Sequence, residues 1–143
     1  MRPSLPLLYP AWLVAVVATV GSLYFSEVRM FVPCVLCWYQ RILMYPLVLL
    51  LGVQTYRQDG KAFAYTLPLS VLGMIVALYH VLYERIPGFG FAAVCRGGGV
   101  PCDVIYINWL GFITIPVLAL TAFTIITVLL VASRVSAARQ AKR

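Results

Sequence analysis

The sequence predicts an all-α membrane protein, a four-transmembrane-helix bundle with two cysteine-bearing outer loops. Three observations predict it. The 143 residues are 63% hydrophobic and only 10% charged, against about 25% charged in soluble domains. One small core cannot hide that much apolar surface, so lipid is the solvent that fits. The apolar residues also run in stretches long enough to cross a bilayer, which takes about 20 helical residues. Residues 3–26, 62–83 and 104–133 contain no Asp, Glu, Lys or Arg, and 30–56 contains only Arg41. Finally, the hydrophobicity runs all the way round each stretch rather than along a stripe, which favours spanning helices over helices lying on a surface.

In order, helices are predicted near 7–25, 37–55, 63–82 and 109–131, in a single domain with a basic tail at 132–143. The first apolar run is too long for a cleaved signal peptide, and no A-x-A site closes it, so it reads as a span. Pro10, Pro46, Pro68 and Pro116 fall inside or beside predicted helices; each should kink its helix locally, which neighbours in a bundle tolerate. A net charge of +7 raises nucleic acid as a partner, but no basic patch is interleaved with aromatics. The excess sits largely in Arg134, Arg139, Lys142 and Arg143, and in a membrane protein that pattern sets orientation.

Four spans put both termini on one side. That side carries Arg2, Arg57, Lys61, Arg134, Arg139, Lys142 and Arg143; the other carries Arg29, Arg41, Arg85 and Arg96. The positive-inside rule then places the termini and the 56–62 loop in the cytoplasm, with 26–36 and 83–108 facing out. All four cysteines fall on the outer side: Cys34 and Cys37 at the start of the second helix, Cys95 and Cys102 in the second outer loop. Disulfides persist outside the cytoplasm, where thiols are not held reduced. Three readings of these cysteines stay open at this point: two structural staples, a zinc site of four thiolates, or a reactive pair.

The surroundings of each pair favour reactivity. Pro33 precedes Cys34 and Pro101 precedes Cys102, so neither cysteine simply continues a helix. A Cys37 sulfur at a helix start would lie near unpaired N–H groups and the positive end of the macrodipole, which favour the thiolate. Arg41 follows one turn deeper on the same face. A charge at that depth needs a partner, a polar cavity or an anion, or else it snorkels to the headgroups. Trp38 and Tyr45 are candidates either for the wall of an apolar site or for the interfacial aromatic belt. His80, the single histidine, lies near the outer end of the third helix with Glu84 four residues on, on the same helical face.

The residues CVLCWYQR at 34–41, YINWLGFITIPVLAL at 106–120 and the four-span plan closely resemble the DsbB family of membrane disulfide oxidoreductases. The nearest likeness is to its BdbC-like branch, typical of Gram-positive bacteria, and it covers residues 8–131. The neighbouring vitamin K epoxide reductase family places its C-x-x-C after the loop cysteines; here that motif comes first.

The resemblance implies an enzyme that reoxidises an extracytoplasmic thioredoxin-like thiol oxidase of DsbA/BdbD type and passes the electrons to a membrane quinone, menaquinone or ubiquinone. It implies that the partner's thiolate attacks the loop disulfide at Cys95, that Cys102 then attacks Cys34, and that Cys37 donates to the quinone. It also implies a quinone site at Arg41 and His80, for which Trp38 and Tyr45 are the candidate wall residues. One departure stands out: only RGGGVP separates Cys95 from Cys102, so this loop has less reach than the long loops of enterobacterial members.

Overall fold

The computed structural model describes residues 5–90, 95 and 100–143. Four helices make the fold: α1 (Leu5–Leu23), α2 (Val35–Arg57), α3 (Phe63–Arg85) and α4 (Ile115–Ala141). Each is long and apolar enough to cross a membrane. They close into a ring in which α1 packs on α2 and α4, and α3 packs on α2 and α4. The start of α2, the end of α3 and the start of α4 therefore share one end of the bundle. Most of the 83–108 connection lies at that end too, although 91–94 and the 96–99 part of the RGGGVP stretch lie outside the described residues.

Local sequence explains the ends. After α1 the backbone widens into a π-turn, Tyr24–Val28, where the Ser26 hydroxyl donates to the Ser22 and Leu23 carbonyls. Met30, with φ of 55°, turns the chain toward α2. At the other end of α2, Gln58 is left-handed, and Asp59 accepts from the Lys61 amide at 2.8 Å, capping the short turn that leads into α3.

The fourth helix starts later than the sequence predicts, at Ile115 rather than near 109, and it runs on through most of the basic tail to Ala141. The reason is a tight turn. Leu110 and Gly111 both have positive φ, 54° and 81°, and Trp109 and Ile113 exchange backbone hydrogen bonds at 3.0 and 2.9 Å. Two consecutive positive φ values belong to a hairpin-type turn and cannot continue a helix. The turn is tied to the end of α3, for the Arg85 guanidinium donates to the Phe112 carbonyl and the Thr114 hydroxyl donates to Glu84 Oε2 at 3.0 Å.

The bundle interior is a run of Leu8, Ala15, Met44, Leu47, Leu51, Ala77, Phe123, Ile126 and Leu130. Small residues let the helices approach: a side chain on Gly73 would meet the Phe123 ring, the packing mode that membrane bundles favour. Polar side chains inside are mostly paired between helices. Trp12 Nε1 donates to the Val48 carbonyl at 3.1 Å, Thr66 to Gln54 Oε1 at 3.1 Å, and Ser70 Oγ lies 2.6 Å from Thr127 Oγ1. The outside is apolar, with Leu49, Val53, Leu72, Ile75 and Val128 all exposed. So much exposed hydrocarbon on every helix is stable only in lipid.

Candidate functional site: a dithiol, a disulfide and an apolar cleft

Cys34 caps α2. Its backbone is extended, and its sulfur accepts from the Cys37 amide at 3.4 Å, the place Ser or Asp takes at ordinary helix starts. The sequence argument put the favoured sulfur at Cys37; the structure gives the cap to Cys34. The two sulfurs lie 3.1 Å apart as free thiols.

His80 reaches this pair from α3. Its Nε2 lies 3.1 Å from the Cys102 carbonyl and 3.7 Å from Cys34 Sγ. A carbonyl can only accept, so Nε2 carries the proton. Gln40 Nε2 then donates to Nδ1 across 3.1 Å, which fixes the tautomer. Cys34 Sγ is thus approached by two N–H donors, the Cys37 amide and the His80 ring, and it meets the Cys37 sulfur in a thiol–thiol contact. The Cys37 thiol is the largest influence holding Cys34 down to about 4 from its ordinary 9; His80 and the Cys37 amide add to it, and burial opposes it. The resting charge of the pair sits on Cys34.

The second pair is oxidised. Cys95 and Cys102 are joined by a disulfide, and both are buried in one cluster with Cys34 and Leu36, packed by Cys37, Val76, Tyr79 and Tyr83. In this form their sulfurs are committed to each other, which leaves no set of four thiolates for zinc. His80 spans the two pairs, with its ring between the Cys34 sulfur and the Cys102 backbone. Glu84 is not its partner, since it holds Thr114 instead.

Beside the dithiol, α1, α2 and α4 enclose a cleft of about 500 Å³ lined by Cys37, Gln40, Arg41, Met44 and Tyr45 among apolar neighbours. Exposed Val17, Leu118 and Ile125 on its rim open it toward the lipid face. Arg41 donates to the Ser22 carbonyl at 2.9 Å and lies 5.4 Å over the Trp38 ring, so its charge is held at the cleft wall rather than stretched to the headgroups. Tyr45 also lines the cleft, and its buried hydroxyl has no hydrogen-bond partner among the described residues. Of the candidates read from sequence, Arg41, Tyr45 and Cys37 meet in this cleft. Trp38 lies outside it, half exposed under the Arg41 guanidinium. His80 lines a separate, smaller cavity with Cys34, Cys37, Glu84 and Cys102.

Residues 5–133 match the family described as "Disulfide bond formation protein DsbB". The chain belongs to that family. It is 52% identical over 128 residues to "Disulfide bond formation protein C" of Bacillus subtilis (strain 168), covering 90% of this chain and 92% of the relative. It is 52% identical over 120 residues to "Probable disulfide formation protein C" of Halalkalibacterium halodurans, covering 84% and 87%. A "Probable disulfide formation protein" of Coxiella burnetii (strain CbuK_Q154) is 45% identical over 124 residues, covering 87% and 84%. No solved structure matches the chain. Membership of the DsbB family and four spanning helices make the chain a disulfide-forming membrane oxidoreductase.

Two residues of this DsbB-family site escaped the sequence argument. Gln40 is 6% exposed and orients His80. The signal was available: a neutral amide inside an apolar span needs a polar partner, and the one histidine was the natural choice. The Ser22 carbonyl that holds Arg41 gave no signal, because backbone acceptors freed by a π-turn are invisible in side-chain patterns.

Proposed function

We propose that this DsbB-family protein reoxidises an extracytoplasmic thioredoxin-like thiol oxidase and delivers the electrons to a membrane quinone, so sustaining disulfide formation in exported proteins. One observation carries the reading: Cys37 lines both the lipid-side cleft and the small cavity shared by the two cysteine pairs. A sulfur so placed joins thiol exchange on one side to an apolar ligand on the other.

The cleft fits a quinone. Its walls are apolar enough for ring and tail, the Arg41 charge suits an oxygen that gains negative charge, and the Tyr45 hydroxyl is a buried donor without a partner among the described residues. When bound, the quinone supplies the two-electron oxidant that the chain's own residues lack.

The chain's residues do the rest. An incoming thiolate opens the Cys95–Cys102 disulfide by attack at Cys95, leaving the electron pair on Cys102. Cys102 then attacks the oxidised Cys34–Cys37 bond at Cys34 and releases Cys37 into the cleft wall. Each exchange is favoured by a leaving sulfur whose thiolate is stabilised. His80, held by Gln40, places its Nε2–H between the Cys102 carbonyl and Cys34 Sγ. Both termini are cytoplasmic and the cysteine end faces outward, a reading supported by the Lys and Arg distribution.

The test is turnover by purified protein, read as quinone reduction together with thiol loss from a reduced thioredoxin-like substrate. Each of four Cys→Ser variants loses the coupled reaction. If all four keep wild-type turnover, the reading is wrong.

A further inference from the structure

The small cavity between the cysteine pairs has a volume of about 20 Å³ and is lined by Cys34, Cys37, His80, Glu84, Cys102 and Thr114, with Tyr106 at its edge. That is room for one water. Glu84 brings a carboxylate to it. Its Oε2 takes the Thr114 hydroxyl, and its Oε1 is buried with no partner among the described residues. A buried carboxylate oxygen without a donor is costly unless water or a proton satisfies it.

We propose that Glu84 is the proton acceptor for Cys34: in the reduced pair, the proton that leaves the Cys34 thiol crosses one water in this cavity and rests on Glu84 Oε1. The S–H bond of Cys34 breaks and its electron pair stays on sulfur. An O–H bond forms on Glu84, and the water gives up one proton as it receives another. No electron moves in this step.

The physical drive is repulsion of like charge. A thiolate and a carboxylate in one buried site disfavour each other, so the site holds one negative charge and shares it between them. With the pair reduced, the charge is on Cys34, where the Cys37 amide and thiol and the His80 ring hold it. With the pair oxidised, sulfur carries no charge and Glu84 ionises. Among the described residues, the other titratable groups facing the cavity are Cys37, His80 and Tyr106; Tyr106 donates to the Val32 carbonyl, and the neighbouring Arg85 is exposed and occupied by the Phe112 carbonyl. The step rests on Cys34 and Cys37 cycling between dithiol and disulfide, and it is independent of which molecule takes the electrons.

Infrared difference spectra of the full chain in detergent micelles, reduced with dithiothreitol and oxidised with diamide, test this. The chain has only four acidic residues, so a single carboxyl is resolvable. The expected result is a protonated-carboxyl carbonyl band that appears on reduction, shifts in D2O, and is absent from Glu84→Gln. It is also absent from Cys34→Ser, which keeps Glu84 but cannot form the thiolate. Absence of a redox-linked band in wild type overturns the proposal, as does a band that persists unchanged in either variant. Neither reagent is a quinone or a protein partner, so this result and the turnover test above fail independently.

Discussion

The two cysteine pairs share one end of the bundle and one histidine, yet the chain treats them differently. Cys34 and Cys37 sit on the first turn of α2, where backbone N–H groups and a rigid helix fix both sulfurs. Cys95 and Cys102 sit on the connection between α3 and α4, and they are closed on each other. A pair on a helix start has its charge stabilised by backbone donors that the helix itself supplies. A pair on a connection gains reach at the expense of that stabilisation. The proposed function accordingly gives charge storage to the first pair and transport to the second.

The largest effect that sharpens this contrast comes from splitting the pairs. Cys37→Ser abolishes quinone reduction with any electron donor, protein or dithiothreitol. Cys95→Ser abolishes it with the protein donor alone and keeps it with dithiothreitol, measured as quinone absorbance. Equal loss in both assays would mean that the pairs have no separate tasks.

His80→Phe removes a charge-assisted hydrogen bond, about 1.5–3 kcal/mol, and so raises the midpoint of Cys34 thiolate formation by roughly 1–2 pH units. Thiolate absorbance near the ultraviolet edge reads it directly. In wild type that midpoint lies at about 4, so the thiolate signal is constant downward from neutral pH and is lost only as pH falls through that value.

Arg41→Ala weakens quinone use roughly 10–100-fold, the scale of one lost charged hydrogen bond, while the Cys34–Cys37 disulfide still forms with diamide. Unchanged quinone kinetics would remove Arg41 from the cleft's function. The smallest change is Trp38→Ala, which costs about 0.5–1 kcal/mol of cation–π contact. It lowers quinone affinity only through the freedom it gives Arg41, so the variant's quinone titration shifts little.

Much of this was legible in the sequence. Long uncharged runs gave four helices because lipid leaves no alternative partner for backbone groups, and the C-x-x-C with Arg41 placed one wall of the site. The start of α4 was not legible. Residues 104–133 are apolar throughout, and hydropathy cannot tell a spanning helix from an apolar turn; only the positive φ at Leu110 and Gly111 does. His80 was found as a residue, but its place between the Cys34 sulfur and the Cys102 backbone was not. Its position depends on Gln40 from another helix, and pairings across helices do not follow from spacing along one.

Because Cys34 supplies the acceptor that caps the start of α2, the proposed cycle would anchor that helix on an atom whose bonding changes with oxidation state. A sulfur that has given its electrons to a covalent bond is a poorer acceptor for the amide beneath it. In the proposed cycle the oxidised pair would therefore hold this cap less firmly than the reduced one. Arg41 lies on the next turn, so the proposal would couple the cleft wall to the oxidation state through the backbone as well as through space.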